Sequence, residues 1–127
     1  MRGRFADTLT DSWLDGAPPT AARDACRYAG VMVDDPFAVD PLLAEAGGLV
    51  YGRRLVDWTR VGRLLVNTAD IKMHVDPGTR ILGLLFFNAA VNGTFGGAAY
   101  LDAPVVPTAR GFWTLPAGQV ALAVDAT

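Results

Sequence analysis

The run Ile81-Leu82-Gly83-Leu84-Leu85-Phe86-Phe87 constrains the fold of this chain more than any other stretch. An uncharged run this short cannot span a bilayer as a helix, which takes about 20 apolar residues. Asp76-Pro77-Gly78 precedes it and Asn92-Gly93 follows it, and turn chemistry at both ends marks a strand. Successive side chains of a strand point to opposite faces, so an unbroken apolar run is dry on both. Such a strand belongs in the middle of a layered β structure, or where an outer sheet face meets another subunit.

The rest of the chain reads as further sheet. Phe5, Leu9 and Trp13 recur at i, i+4, i+8 and predict a short amphipathic helix over 5–14, stopped by Gly16 and Pro18-Pro19. Residues 25–33 read as a first strand ending in Asp34-Asp35-Pro36, and 37–48 as a loop. Extended runs follow at 49–58, 61–66 and 69–75. In the last, Ile71, Met73 and Val75 face one side, and Asp70, Lys72, His74 and Asp76 the other. Beyond Ile81–Phe87, Asn92-Gly93 suits a turn needing positive φ, and Gly96-Gly97-Ala98-Ala99 pairs back. Short runs at 104–107 and 111–115, then Val120, Leu122 and Val124, complete about eight strands, the pattern of an all-β antiparallel sandwich of jelly-roll type. The expected organisation is a helix and linker over 1–19 and a β-sandwich over 20–127.

Composition bounds the function. A chain of 127 residues, 51% hydrophobic and 19% charged, carries enough apolar material for one full core. Eleven basic against 13 acidic residues, a net charge of −2, argue against coating nucleic acid, where affinity comes from neutralising phosphates. Cys26 is the only cysteine, so neither an internal disulfide nor a cysteine zinc site can form. Met1-Arg2-Gly3-Arg4 lacks the apolar stretch of a secretory signal, and the expected compartment is a cytoplasm.

No cluster makes a reaction centre. Asp34, Asp35, Asp40 and Glu45 offer hard oxygen ligands for Ca²⁺, but their spacing fits no EF-hand loop. His74 would need Ser12, the only serine, for a nucleophilic triad, and no elbow motif surrounds that serine. Asp57, Asp70, Asp76 and Asp102 sit at strand ends, as turn residues do. Gly93-Thr94-Phe95-Gly96-Gly97 lacks the lysine and helix of a phosphate loop. Arg53, Arg54, Arg60 and Arg63 form a basic stretch beside Trp58. Arg53 and Arg54 should point to opposite sides of a sheet, and inter-subunit salt bridges suit the rigid guanidinium. Trp13, Trp58, Trp113, Tyr51 and Tyr100 could stack on sugar rings where exposed.

The order of these signals resembles a family of small virion proteins from phages of actinobacteria, usually minor tail or tail-fibre-associated. The likeness runs through Tyr28-Ala29-Gly30-Val31-Met32-Val33-Asp34-Asp35-Pro36, Glu45-Ala46-Gly47-Gly48-Leu49-Val50-Tyr51-Gly52-Arg53 and Asn67-Thr68-Ala69-Asp70-Ile71. It continues through Pro77-Gly78-Thr79-Arg80-Ile81-Leu82-Gly83-Leu84-Leu85-Phe86 and Leu115-Pro116-Ala117-Gly118-Gln119-Val120. Where the family carries His-Thr before the acidic-proline loop, this chain has Met32-Val33, so no binding residue transfers. The resemblance implies a non-enzymatic β-sandwich in the virion, assembled in the bacterial cytoplasm, with no cofactor or metal and neither membrane nor nucleic acid as partner. Its expected partners are copies of itself, with a trimer the natural ring, and other virion proteins. The expected interface is Phe5, Leu9, Trp13, Phe86, Phe87 and Trp113. A capsid decoration protein and a module binding host-envelope glycans are the alternatives.

Overall fold

The computed structural model describes residues 1–6, 20–47, 52–62, 64–108 and 111–123. Among these are ten strands and one short helix. In chain order they are β1 (Arg2–Phe5), α1 (Thr20–Ala25), β2 (Tyr28–Met32), β3 (Arg54–Leu55), β4 (Trp58–Val61) and β5 (Leu64–Asn67). Then come β6 (Ile71–Val75), β7 (Ile81–Phe87), β8 (Phe95–Val105), β9 (Gly111–Leu115) and β10 (Ala121–Ala123). Eight strands form one sheet in the order β3-β2-β7-β8-β1-β10-β5-β4, and β6 and β9 form a separate ribbon.

The fold is all-β, as expected, but the large sheet is mixed. The first and last described strands, β1 and β10, lie side by side and parallel, with Gly3 opposite Leu122. Phe5 therefore sits in a strand between β8 and β10 and is fully buried, instead of opening a helix. Its helical spacing to Leu9 and Trp13 concerns residues outside those described, and pairing with two strands decides the conformation of 2–5. Residues 20–25 are helical, so Ala25, expected to open the first strand, ends a helix instead, and the strand begins at Tyr28. A Cβ on Gly96 would meet the Ala25 carbonyl oxygen at 2.2 Å, so the helix end can rest on β8 only because that position is glycine.

The sheet curls strongly. Its two end strands, β3 and β4, are separated in sequence by Val56 and Asp57 alone. From Leu55 to Trp58 is three Cα steps, at most roughly 11 Å, so the two edges of an eight-stranded sheet come together. The joining residues continue the ladders on either side: Val56 N donates to Arg27 O at 2.8 Å and Thr68 N to Asp57 O at 3.0 Å. The segment 54–61 thus behaves as one bent strand, pairing with β2 through its first half and β5 through its second.

The inside of the curl is the main core. Phe5, Val31, Leu65, Leu84, Phe86 and Leu122 meet there, and Trp58 stacks edge-on against Phe86 with ring centroids 5.1 Å apart. The indole Nε1 donates to Cys26 O at 2.8 Å, so the buried tryptophan leaves no unpaired donor. Ribbon β6–β9 adds Ile71, Met73, Val75 and Leu115 to the same core, leaving Lys72 exposed, which is the alternation the sequence announces. Buried Asn67 ties this end together: its amide nitrogen donates to Ala69 O and Pro116 O, and its Oδ1 accepts from Val120 N.

Strand β7 is dry on both faces. Leu84 and Phe86 point into the main core, while Leu85 and Phe87 join Met32, Ala44 and Ala98 in a second cluster outside the sheet. An irregularity between Ile81 and Gly83 shifts the register, so Ile81 enters the main core and Leu82 the outer cluster. What covers the outer face is this chain's own loop, which brings Phe37 and Ala44 over the sheet.

Candidate functional site

The loop that covers β7 is built from short polar turns. Asp34 Oδ1 accepts from Asp35 N, Asp35 Oδ1 from Phe37 N, and Asp40 Oδ1 from Leu42 N. These carboxylates order the backbone as Asp does in turns, and among the described residues no group of three His, Cys, Asp or Glu is placed to hold a metal ion. Below the loop lies an aromatic trio. Phe37 meets Phe95 at 5.5 Å and Phe95 meets Phe87 at 5.9 Å, both edge-to-face. A guanidinium caps each end, Arg4 over Phe37 and Arg53 over Phe87, each 3.7 Å from the ring centroid.

Arg53 is the centre of the region. Its side chain is 4% exposed, and its Nε and NH2 donate to the two carboxylate oxygens of Glu45, each at 2.8 Å. NH1 donates to Ala89 O at 2.9 Å and Asn92 O at 2.6 Å. One guanidinium thereby fastens the 34–45 loop and the 88–94 loop to each other. The second loop is closed by Asn88, whose Oδ1 accepts from Thr94 N, and turned by Asn92 and Gly93 at φ 54° and 76°. Among the expected Arg roles, the salt bridge exists, but within the chain. Arg54, the first residue of β3, is exposed, as is Leu55 after it.

Between these walls runs an open groove of about 310 Å³, lined by Leu42, Glu45, Gly52, Arg53, Ala90, Val91 and Asn92. Its charged floor is closed by the Glu45–Arg53 pair, and its rim is aliphatic. Val91 and Leu43, next to Leu42, are each 76% exposed, the most exposed large apolar side chains among those described. A second open groove, of about 450 Å³, lies between β3 and β6 and is lined by Arg54, Leu55, Asp70, Ile71 and Lys72.

On the far side of the aromatic trio, the Tyr100 hydroxyl donates to Asp35 Oδ1 at 3.3 Å. Partial burial pushes this phenol up to about 12, the Asp35 charge and hydrogen bond add to the rise, and Arg4 opposes it. Unfolded, the group titrates near 10. Its contribution to stability is therefore complete below pH about 10 and is lost as pH rises through the folded value. The ultraviolet phenolate band that disappears in Tyr100→Phe is expected to titrate at about 12, and at a lower pH in Asp35→Asn.

The residues expected at an interface are distributed differently. Phe5, Phe86 and Phe87 are fully buried inside the chain, and Trp113 is half-buried against the main core. Leu9 and Trp13 lie outside the described residues, as do Ser12, Tyr51 and Arg63. As folded, Phe5, Phe86 and Phe87 present no surface to a partner, because the chain itself covers both faces of β7. Of the aromatic residues considered for stacking on sugars, Trp58 is interior and Tyr100 is partly exposed. His74 is half-buried on the ribbon, and Asp70 is engaged by Ala117 N at 3.0 Å. Cys26 is fully buried, and burial pushes its thiol far up, away from the reactive thiolate. No described helix is long and apolar enough to cross a membrane. Sequence reasoning missed the exposed aliphatic rim. Leu42-Leu43 followed by Ala-Glu reads as an ordinary helical turn, and only the loop's path turns those side chains outward. Compared with known protein families, curated proteins and solved structures, the chain matches none.

Proposed function

We propose that this protein is a non-enzymatic structural component of a bacteriophage virion, a minor tail or fibre-associated subunit that works by associating with copies of itself and its neighbours. The virion assignment rests on the family resemblance of the sequence. The observation that supports assembly is the aliphatic pair Leu42 and Val91 at the groove, with exposed Leu43 next to Leu42 in the chain, held on two loops that Arg53 ties together. Isolated exposed leucines are ordinary, but apolar side chains gathered on a rigid rim mark a contact surface. In this reading the β6–β9 ribbon is the reduced second layer of a jelly-roll-like sandwich, the curled sheet being the first.

Light scattering on the purified chain tests the assembly. An oligomer, a trimer by preference, is the expected result. A chain still monomeric at about 1 mM, where a contact worth about 4 kcal/mol is half formed, counts against it. Antibody labelling of purified phage particles tests the location, with label on the tail expected and label confined to the head favouring a decoration protein.

A further inference from the structure

We propose that the groove between β3 and β6 receives the acidic loop of a second copy of this chain. The inference rests on the assembly reading above and names its contact. The groove is bordered by two cationic side chains, Arg54 and Lys72, both exposed, and its apolar wall includes Leu55, 61% exposed. It is flanked by end strands among the described residues: β3 is the last strand of the large sheet, and β6 pairs with β9. Asp70 also lines the groove and keeps its negative charge while its Oδ1 accepts from Ala117 N, so the lining carries two cations to one anion.

The 34–43 loop carries the opposite chemistry in the same mixture. Asp34, Asp35 and Asp40 are exposed, and Val39, Leu42 and Leu43 project among them. Their carboxylate contacts within the loop hold its backbone in shape before any partner arrives, which lowers the ordering cost of binding. One surface carries two cations to one anion beside aliphatic side chains, the other three carboxylates beside aliphatic side chains, and every copy has both. Opposite charges across a contact favour this pairing over groove against groove or loop against loop, where like charges meet. A contact between two different surfaces of identical chains closes into a ring if the rotation allows, the geometry a cyclic virion oligomer needs.

Charge reversal on each side, followed by mixing, tests the contact by light scattering and sedimentation. The first variant carries Arg54→Asp and Lys72→Asp, and the second Asp34→Arg and Asp40→Arg. The wild type is expected to associate, and to dissociate as salt shortens the screening length from about 10 Å at 0.1 M to about 3 Å at 1 M. Each variant by itself should associate at least about 100-fold more weakly, because like charges then face each other. A one-to-one mixture should recover heterodimers and even-numbered alternating oligomers, since every matched contact joins one variant to the other; an odd ring such as a trimer cannot alternate and is not expected to re-form. Recovery on mixing also shows that both variants are folded. If either variant associates as the wild type does, or the mixture stays monomeric while both variants give native circular dichroism, the groove is not the docking site and assembly uses another surface. A variant that has lost its native spectrum is replaced by its single substitutions, Lys72→Asp or Asp34→Arg, which are judged by the same readout at smaller effect. A wild type that never associates overturns both this contact and the assembly reading.

Discussion

Gly83→Ala is expected to remove the folded state under ordinary conditions, at a cost of more than about 4 kcal/mol, which is a large part of the roughly 5–15 kcal/mol that holds a domain together. A Cβ at position 83 would sit 2.0 Å from the Ala99 carbonyl oxygen and 3.0 Å from Tyr100 Cα. These are backbone atoms of β8, the strand that β7 pairs with, so no side chain can turn aside to relieve the clash. The same strand is approached from its other flank by Gly3 of β1, whose Cβ would lie 1.9 Å from the Ala98 carbonyl oxygen. Glycines on both sides of residues 98–100 let three neighbouring strands bend together, and that bend brings the ends of the sheet around to β3 and β4. Gly111→Ala is the control. It lies in β9 with no atom within 4 Å of the added carbon, and a surface change of that kind stays within about 0.5 kcal/mol. Urea denaturation followed by circular dichroism separates the two. A Gly83→Ala protein with a wild-type midpoint would mean that the strands at this corner are not as close as described.

How much of this was legible depends on where the deciding interaction lies. Strand β7 could be read from its own residues, because an apolar run between Pro77-Gly78 and Asn92-Gly93 has few other ways to fold. Strand β6 could be read from its alternation, and the turn at 92–93 from residues that tolerate positive φ, which both adopt. Residues 2–5 could not. Arg-Gly-Arg-Phe carries no apolar alternation long enough to mark a strand, and its conformation is set by Ala99 on one side and Leu122 on the other, both far along the chain. Nor could the outer face of β7 be assigned: an apolar run states that both faces are dry without naming the cover, and here an intramolecular loop takes the place expected of another subunit. Arg53 was visible as a residue suited to bidentate pairing, but a second loop, 88–94, had to arrive before its partners existed.

Arg53→Ala is expected to cost about 3–5 kcal/mol, the usual penalty for breaking a buried ion pair and stranding one partner. Glu45 is 12% exposed and would keep a carboxylate facing a hole where both its bonds from Arg53 had been. Ala89 O and Asn92 O would each lose a charged donor, and Phe87 the cation over its ring. Arg53→Lys should recover little of this. An ammonium keeps the charge but cannot send parallel bonds to two carboxylate oxygens while reaching two carbonyls on another loop and lying flat on a ring. The double variant Arg53→Ala, Glu45→Gln separates the stranded charge from the lost tether. If the penalty is mostly the buried carboxylate that has lost its guanidinium, adding Glu45→Gln recovers part of the stability. If it is mostly the tether, the double variant stays as unstable as Arg53→Ala, and hydrogen exchange accelerates together in residues 36–45 and 88–94. Four of the guanidinium's five donors are in use, two on Glu45 and two on the 88–94 loop, so both contributions are expected to be visible. Separate exchange behaviour in the two loops of the wild type would show that Arg53 does not join them, and Leu42 and Val91 at the groove would then lose their rigid support.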